Sequence, residues 1–186
     1  MSVITRRTLL TTAAAACAAG PAFAATQPYR IPNEHKAKIV NIKAGFRPNE
    51  IHVDPGNFAL YWTLPEGKAV RYIVGIGVEG RYYPGTYHIA RKAEWPRWTP
   101  TKNMIRREPE LYAKHAGGMA GGPNNPLGAR ALYLYQGSRA SLLRIHGTPR
   151  PQSVAQRVSN GCVRMINAHV ADLYNRVPNG TRVVLH

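Results

Sequence analysis

Ile145-His146-Gly147-Thr148 is followed, sixteen positions after His146, by Cys162 in the run Ser159-Asn160-Gly161-Cys162-Val163-Arg164-Met165. The first stretch closes an apolar run, Ser141 to Ile145, that reads as a strand. The second ends a loop of some fifteen residues on a glycine-containing turn, just before a helix. A strand, a loop and a tight turn in that order can bring Cys162 back to His146 in space. A thiol attacks acyl carbons as thiolate, and a free thiol is mostly protonated at neutral pH. A neighbouring imidazole can take that proton, leaving a thiolate–imidazolium pair. Cys162 is therefore the candidate nucleophile and His146 its base. Gly161 lets backbone amides face a developing oxyanion, with Asn160, Gly161 and Cys162 as candidate donors. The carbonyl of Gly147, or a nearby polar group, is a candidate for orienting the imidazole as a third member. Ser159 and Arg164 are candidates for fixing the turn or holding substrate.

Outward from this pair, short β-branched runs alternate with turn signals. Lys38 to Ile42, Glu50 to Val53, Phe58 to Thr63, Val70 to Ile76, Thr86 to Ala90, Ala131 to Tyr135 and Thr181 to Leu185 read as further strands. Arg47-Pro48-Asn49, Asp54-Pro55-Gly56-Asn57 and Pro65-Glu66-Gly67 punctuate them. The spacing predicts a mainly β fold, sandwich or barrel-like, with one or two short helices. Val170, Leu173, Tyr174 and Val177 share one helical face, with Asn167 as the expected cap and His169 on the exposed side. Trp95 to Gly128 is long, basic and rich in Gly and Pro, and is expected to be a loop lying over the site.

Residues 1–24 read as a signal peptide. Arg6-Arg7, an Ala-rich run from Leu9 to Ala19 and Ala22-Phe23-Ala24 supply its three parts, with secretory and twin-arginine export both open. Export to the periplasm or cell envelope follows, and Cys17 is lost with the signal. Cys162 is then a single unpaired thiol in an oxidising compartment, which points to use. A redox-sensing or structural cysteine would leave Gly161 and His146 without a purpose. Residues 25–36 read as a linker or arm and 37–186 as one domain. After cleavage 23 basic and 9 acidic side chains remain, a net +14. That field suits a polyanion, and export favours an anionic envelope polymer over nucleic acid. His35, His52, His88, His115, His169 and His186 show no metal-ligand spacing, so neither metal nor cofactor is expected.

These residues resemble the L,D-transpeptidase catalytic domain, the YkuD family. Its signature is a histidine followed by Gly or Ser, a gap, then Ser/Thr-His-Gly-Cys, an apolar residue and an arginine. Tyr83-Pro84-Gly85-Thr86-Tyr87-His88-Ile89, Trp95-Pro96-Arg97-Trp98-Thr99-Pro100 and Gly122-Pro123-Asn124-Asn125-Pro126-Leu127-Gly128 are similar to further family segments. Asn160 departs from the pattern, since a histidine often precedes Gly-Cys there. The resemblance implies a catalytic domain at 37–186 that acts on peptidoglycan stem peptides through a thioester on Cys162. The donor is a tetrapeptide. The acceptor is the amine of diaminopimelate, giving 3→3 cross-links, or that of an envelope protein, outer-membrane proteins included. Hydrolysis on the same pair, an L,D-carboxypeptidase, stays open, as does a noncatalytic wall-binding module. Tyr133, Tyr135 and Trp98 are candidates for lining the pocket.

Overall fold

The computed structural model describes residues 29–186. The expected signal peptide, with Arg6-Arg7 and Cys17, lies outside the described residues. Ten strands form one sheet: β1 Lys38–Asn41, β2 Ile51–Asp54, β3 Ala59–Leu64, β4 Lys68–Gly77, β5 Gly85–Glu94, β6 Arg130–Gln136, β7 Arg139–His146, β8 Arg157–Ser159, β9 Val163–Met165 and β10 Arg182–Leu185. Their order is β1-β4-β3-β2-β10-β5-β6-β7-β9, and β9 pairs back onto β4 through Val74 and Met165. That last pairing closes the sheet into a barrel, which leaves few free edges. The mainly β, barrel-like architecture is the one read from the turn spacing.

Side-chain pattern sets which face each strand buries. β5 alternates, with Tyr87 and Ile89 inward. β4 is buried almost throughout from Tyr72 to Gly77, because strands or loops cover it on both faces. Between β3 and β4, the Lys68 amide donates to the Pro65 carbonyl, and the central residues of that turn, Glu66 and Gly67, both take positive φ, 58° and 65°, as this tight turn requires. The barrel interior holds Ile51, Leu60, Tyr72, Ile89, Leu132 and Ile145, with Val170 and Leu173 of helix α3, Asn167–Arg176, packed in.

Three details differ from the sequence reading. Asn167 does not cap α3; it is the first helical residue, and its side chain is used elsewhere. His169 is buried against Tyr72, with ring centroids 5.8 Å apart, and burial lowers its pKa. The stretch after Trp95 is folded into α1 Lys102–Arg107, α2 Pro109–Tyr112 and a 3-10 turn, with Trp98 and Met119 bridged across its base. In the expected arm, Ile31 packs on a small cluster of Ile73, Val154 and Ile166.

Candidate active site

β7 ends at His146, and β9 runs parallel beside it with His146 opposite Arg164 and Ile145 opposite Val163. The intervening chain passes through a 3-10 turn at Pro151–Ser153 and β8, which pairs with β4. Cys162 thus enters β9 at the edge where β7 delivers His146. The fold brings the two motifs together through a parallel pairing that local sequence does not announce.

The cysteine turn is built by Ser159. Its hydroxyl donates to the Cys162 carbonyl at 2.6 Å and accepts from the Gly161 amide at 3.1 Å. Ser159 is buried, so its polar atoms serve the turn. Gly161 has φ 121°, and a Cβ there would stand 2.9 Å from the Tyr83 ring. Only glycine fits both the backbone angle and the space. The Cys162 side chain is half-buried, and its Sγ lies 4.0 Å from the Leu142 carbonyl. Leu142 sits at a bulge in β7 with φ 63°.

His146 is fixed from the other side. Its Nδ1 lies 2.6 Å from the Gly147 carbonyl oxygen. A carbonyl only accepts, so the proton is on Nδ1 and the Nε2 lone pair is left to act. Burial, with the guanidiniums of Arg164 and Arg144, lowers its pKa from 6.5 to about 3. The resting imidazole is neutral. That argues against a standing thiolate–imidazolium pair and for proton transfer during attack.

Gly147 is held by a residue that sequence reasoning assigned to another task. Asn167 Oδ1 accepts from the amides of Ala129 and Thr148, each at 3.0 Å. A Cβ on Gly147 would overlap that oxygen. The Asn167 side chain therefore ties the start of β6 to the segment just after His146.

Beyond His146 a pocket of about 280 Å³ opens, lined by Asn124, Pro126, Thr148, Pro149, Arg150 and Arg164. Two guanidiniums face it and no carboxylate lines it. Arg164 Nη1 donates to Ser153 Oγ at 3.1 Å, while its Nε is buried without an acceptor among the described residues. Burial and the Arg150 charge press the Arg164 pKa below the ordinary arginine value. Such a pocket is made for an anionic group. Arg150 was not singled out in the sequence, because it lies outside the cysteine motif, and Asn124 was quoted only within the Gly122–Gly128 segment.

The remaining candidates do not line that pocket. Trp98 is buried under the α1–α2 segment, packed near Tyr112 and His115. Tyr133 is stacked between Arg91, 3.7 Å from its ring centre, and Arg144 at 5.1 Å. Tyr135 is half-buried beside His88. The Asn160 side chain turns toward the α1–α2 segment, where its carboxamide meets Arg81, Arg107 and Tyr112.

A family model described as the YkuD L,D-transpeptidase catalytic domain matches residues 48–185. The chain belongs to the YkuD family. The probable L,D-transpeptidase ErfK/SrfK of Escherichia coli (strain K12) is 38% identical over 140 residues, covering 72% of this chain and 42% of the relative. The probable L,D-transpeptidase YbiS of the same strain is 33% identical over 144 residues, covering 73% of this chain and 45% of the relative. The chain spans less than half the length of these curated YkuD relatives. Among solved structures, a Brucella melitensis protein named a probable carnitine operon oxidoreductase is 44% identical. It superposes with a TM-score of 0.58 over 84% of this chain and 96% of its own. An Enterococcus faecium L,D-transpeptidase, 14% identical, has a TM-score of 0.56 over 75% of this chain and 50% of its own. At that identity the likeness speaks for the YkuD barrel alone.

Proposed function

We propose that the chain is an exported L,D-transpeptidase that acts on peptidoglycan stem peptides through an acyl-enzyme on Cys162. One observation carries the reading. A half-buried thiol sits on a glycine turn at the edge of β9, beside a buried histidine whose Nδ1 proton is committed to Gly147. That is the arrangement of a nucleophile and a base held in one tautomer by its own chain.

In the reaction, His146 Nε2 takes the Cys162 proton as sulfur attacks the carbonyl at the L-centre of diaminopimelate in a donor tetrapeptide. The Gly161 amide is occupied by Ser159, which leaves the amides of Asn160 and Cys162 to face the oxyanion. The C–N bond to D-Ala then breaks. The proton held on His146 passes to the departing amine, and a thioester remains. An acceptor amine attacks the thioester, gives its proton to His146 and restores the thiol. Diaminopimelate as acceptor gives a 3→3 cross-link, and an envelope-protein amine gives anchoring. The stem peptide carries carboxylates, and the Arg150–Arg164 pocket supplies a matched partner for one of them. Periplasmic placement rests on residues 1–24, and the excess of basic side chains suits a polyanionic wall.

Intact-mass spectrometry tests the reading. Incubation with a disaccharide-tetrapeptide should give an adduct on Cys162 and a dimeric 3→3 muropeptide, and Cys162→Ala should give neither. Release of tripeptide alone would favour the carboxypeptidase. An unmodified Cys162 with either that donor or a carbapenem would sink the catalytic reading.

A further inference from the structure

Three elements converge on the Asn160 side chain, two residues before the thiol. Oδ1 accepts from Arg81 Nη1 at 2.6 Å and from Arg107 Nη2 at 2.9 Å. Nδ2 donates to Tyr112 Oη at 3.3 Å. Arg81 belongs to the β4–β5 loop, Arg107 ends α1 and Tyr112 ends α2. Glu108, between the two helices, adds an ion pair to Arg81 at 3.6 Å. The α1–α2 segment thus reaches the residue two positions before Cys162, with Trp98 and His115 packed beside Tyr112.

We propose that Asn160 is a positioning residue that latches the α1–α2 segment over the Cys162 turn, and that Arg81 and Arg107 are what demand an acceptor without positive charge at this position. The latch deepens the transpeptidase reading and rests on it for its effect on substrate. A carboxamide oxygen has two lone pairs, and both are used here by guanidinium donors. The amide nitrogen still has protons for Tyr112. A neutral imidazole offers one acceptor at most, and an imidazolium offers none. A protonated histidine here would stand against Arg81 and Arg107, with Glu108 paired to Arg81 across from it. The departure from the histidine of the family pattern and the presence of these two arginines are therefore one feature. Aspartate, by contrast, accepts from both guanidiniums, and the Tyr112 hydroxyl can rotate to donate to it.

The test uses the mature chain and four variants: Asn160→Ala, Asn160→Asp, Asn160→His and, releasing the same contact from the other side, Arg107→Gln. Hydrogen exchange of residues 102–115 reads the latch directly. Michaelis parameters with a tetrapeptide donor read its consequence. Asn160→Ala and Arg107→Gln should each speed exchange in that segment, and raise KM, by about tenfold, with kcat changed far less. Asn160→Asp should restore both. Asn160→His should fall between wild type and Asn160→Ala near about pH 8, and resemble Asn160→Ala near about pH 5.5, as its imidazole charges. Unchanged exchange in both Asn160→Ala and Arg107→Gln, or a pH-independent Asn160→His, would overturn the latch. The two readings separate cleanly. Exchange that follows this pattern in a protein that never acylates keeps the latch and removes the transpeptidase. Acylation with flat exchange does the reverse.

Discussion

His146 Nδ1 lies 2.6 Å from the carbonyl oxygen of Gly147, the residue that follows it. This one contact fixes the tautomer, and the surroundings fix the charge. Burial first, then Arg164, lower the imidazole pKa from 6.5 to about 3. Below pH 6.5 the unfolded chain takes up this proton while the folded chain does not until about pH 3. The stability it contributes is complete above 6.5 and is lost as the pH falls toward 3. His52 and His169, also lowered mainly by burial, act in the same direction. Thermal unfolding of wild type and His146→Gln between about pH 4 and pH 8 checks this. The wild-type Tm should fall more steeply on acidification, with part of the slope surviving in the variant. Parallel curves would show that His146 titrates normally.

Asn167 and Gly147 fit together at the expense of any larger residue. The Asn167 oxygen serves the amides of Ala129 and Thr148, and Gly147 leaves it room. Gly147→Ala should displace that oxygen and cost about 2–4 kcal/mol, since two buried amides lose their acceptor. Asn167→Ala should cost about 2–3 kcal/mol by the same loss. The double variant should be much less destabilised than the sum, because the second change removes nothing further. Additive effects in urea unfolding would mean that the two residues act separately.

The strands were legible because their β-branched runs are bounded by Gly, Pro and Asn. β4 reads as strand from Val70 to Ile76 for that reason. The short strands β8 and β9 were not legible. Each has three residues, and each exists because β4 and β7 offer it a pairing edge. Helices α1 and α2 were hidden by their lack of buried residues, which leaves no apolar period to see. Cys162 and His146 stood out through motif order. Asn167 read as a helix cap because asparagine before an apolar helical face normally is one, and here a tertiary demand for its oxygen wins. Arg150, Arg81 and Arg107 carry no local signal in a chain with 25 basic residues. Their meaning comes only from where the barrel brings them.

The Arg150–Arg164 pocket predicts recognition of a carboxylate on the donor. Arg150→Ala should raise KM for a free-acid stem peptide by about tenfold, the scale of one charge-assisted hydrogen bond. A donor with that carboxylate amidated should bind wild type weakly and lose little in the variant. Arg164 is the poorer probe, because it also holds Ser153 and helps to keep His146 neutral. Equal KM increases for acid and amide donors would place the carboxylate elsewhere.

Ser159 tests whether the turn itself sets the nucleophile. Its buried hydroxyl is the acceptor for the Gly161 amide and the donor to the Cys162 carbonyl. Ser159→Ala removes both at once and leaves two backbone groups unpaired in a buried turn. The cost to stability should be about 1–3 kcal/mol. The larger effect should be on chemistry. Gly161 adopts a φ of 121° under the Tyr83 ring, and with the Ser159 hydroxyl gone the β4–β8 pairing and the Asn160 side-chain bonds would be left to hold the turn. The Cys162 amide and sulfur would then sample more orientations, and acylation by a carbapenem should slow by about tenfold or more. Ser159→Thr keeps the hydroxyl and should restore most of the rate, whereas Ser159→Cys, with a longer and weaker donor, should not. If Ser159→Ala acylates at the wild-type rate while losing stability, the hydroxyl serves only the fold. If Ser159→Thr fails along with Ala, the added methyl is not tolerated. Asn160→Ala, which leaves the Ser159 bonds in place, then separates loss of the turn from loss of the cover above it.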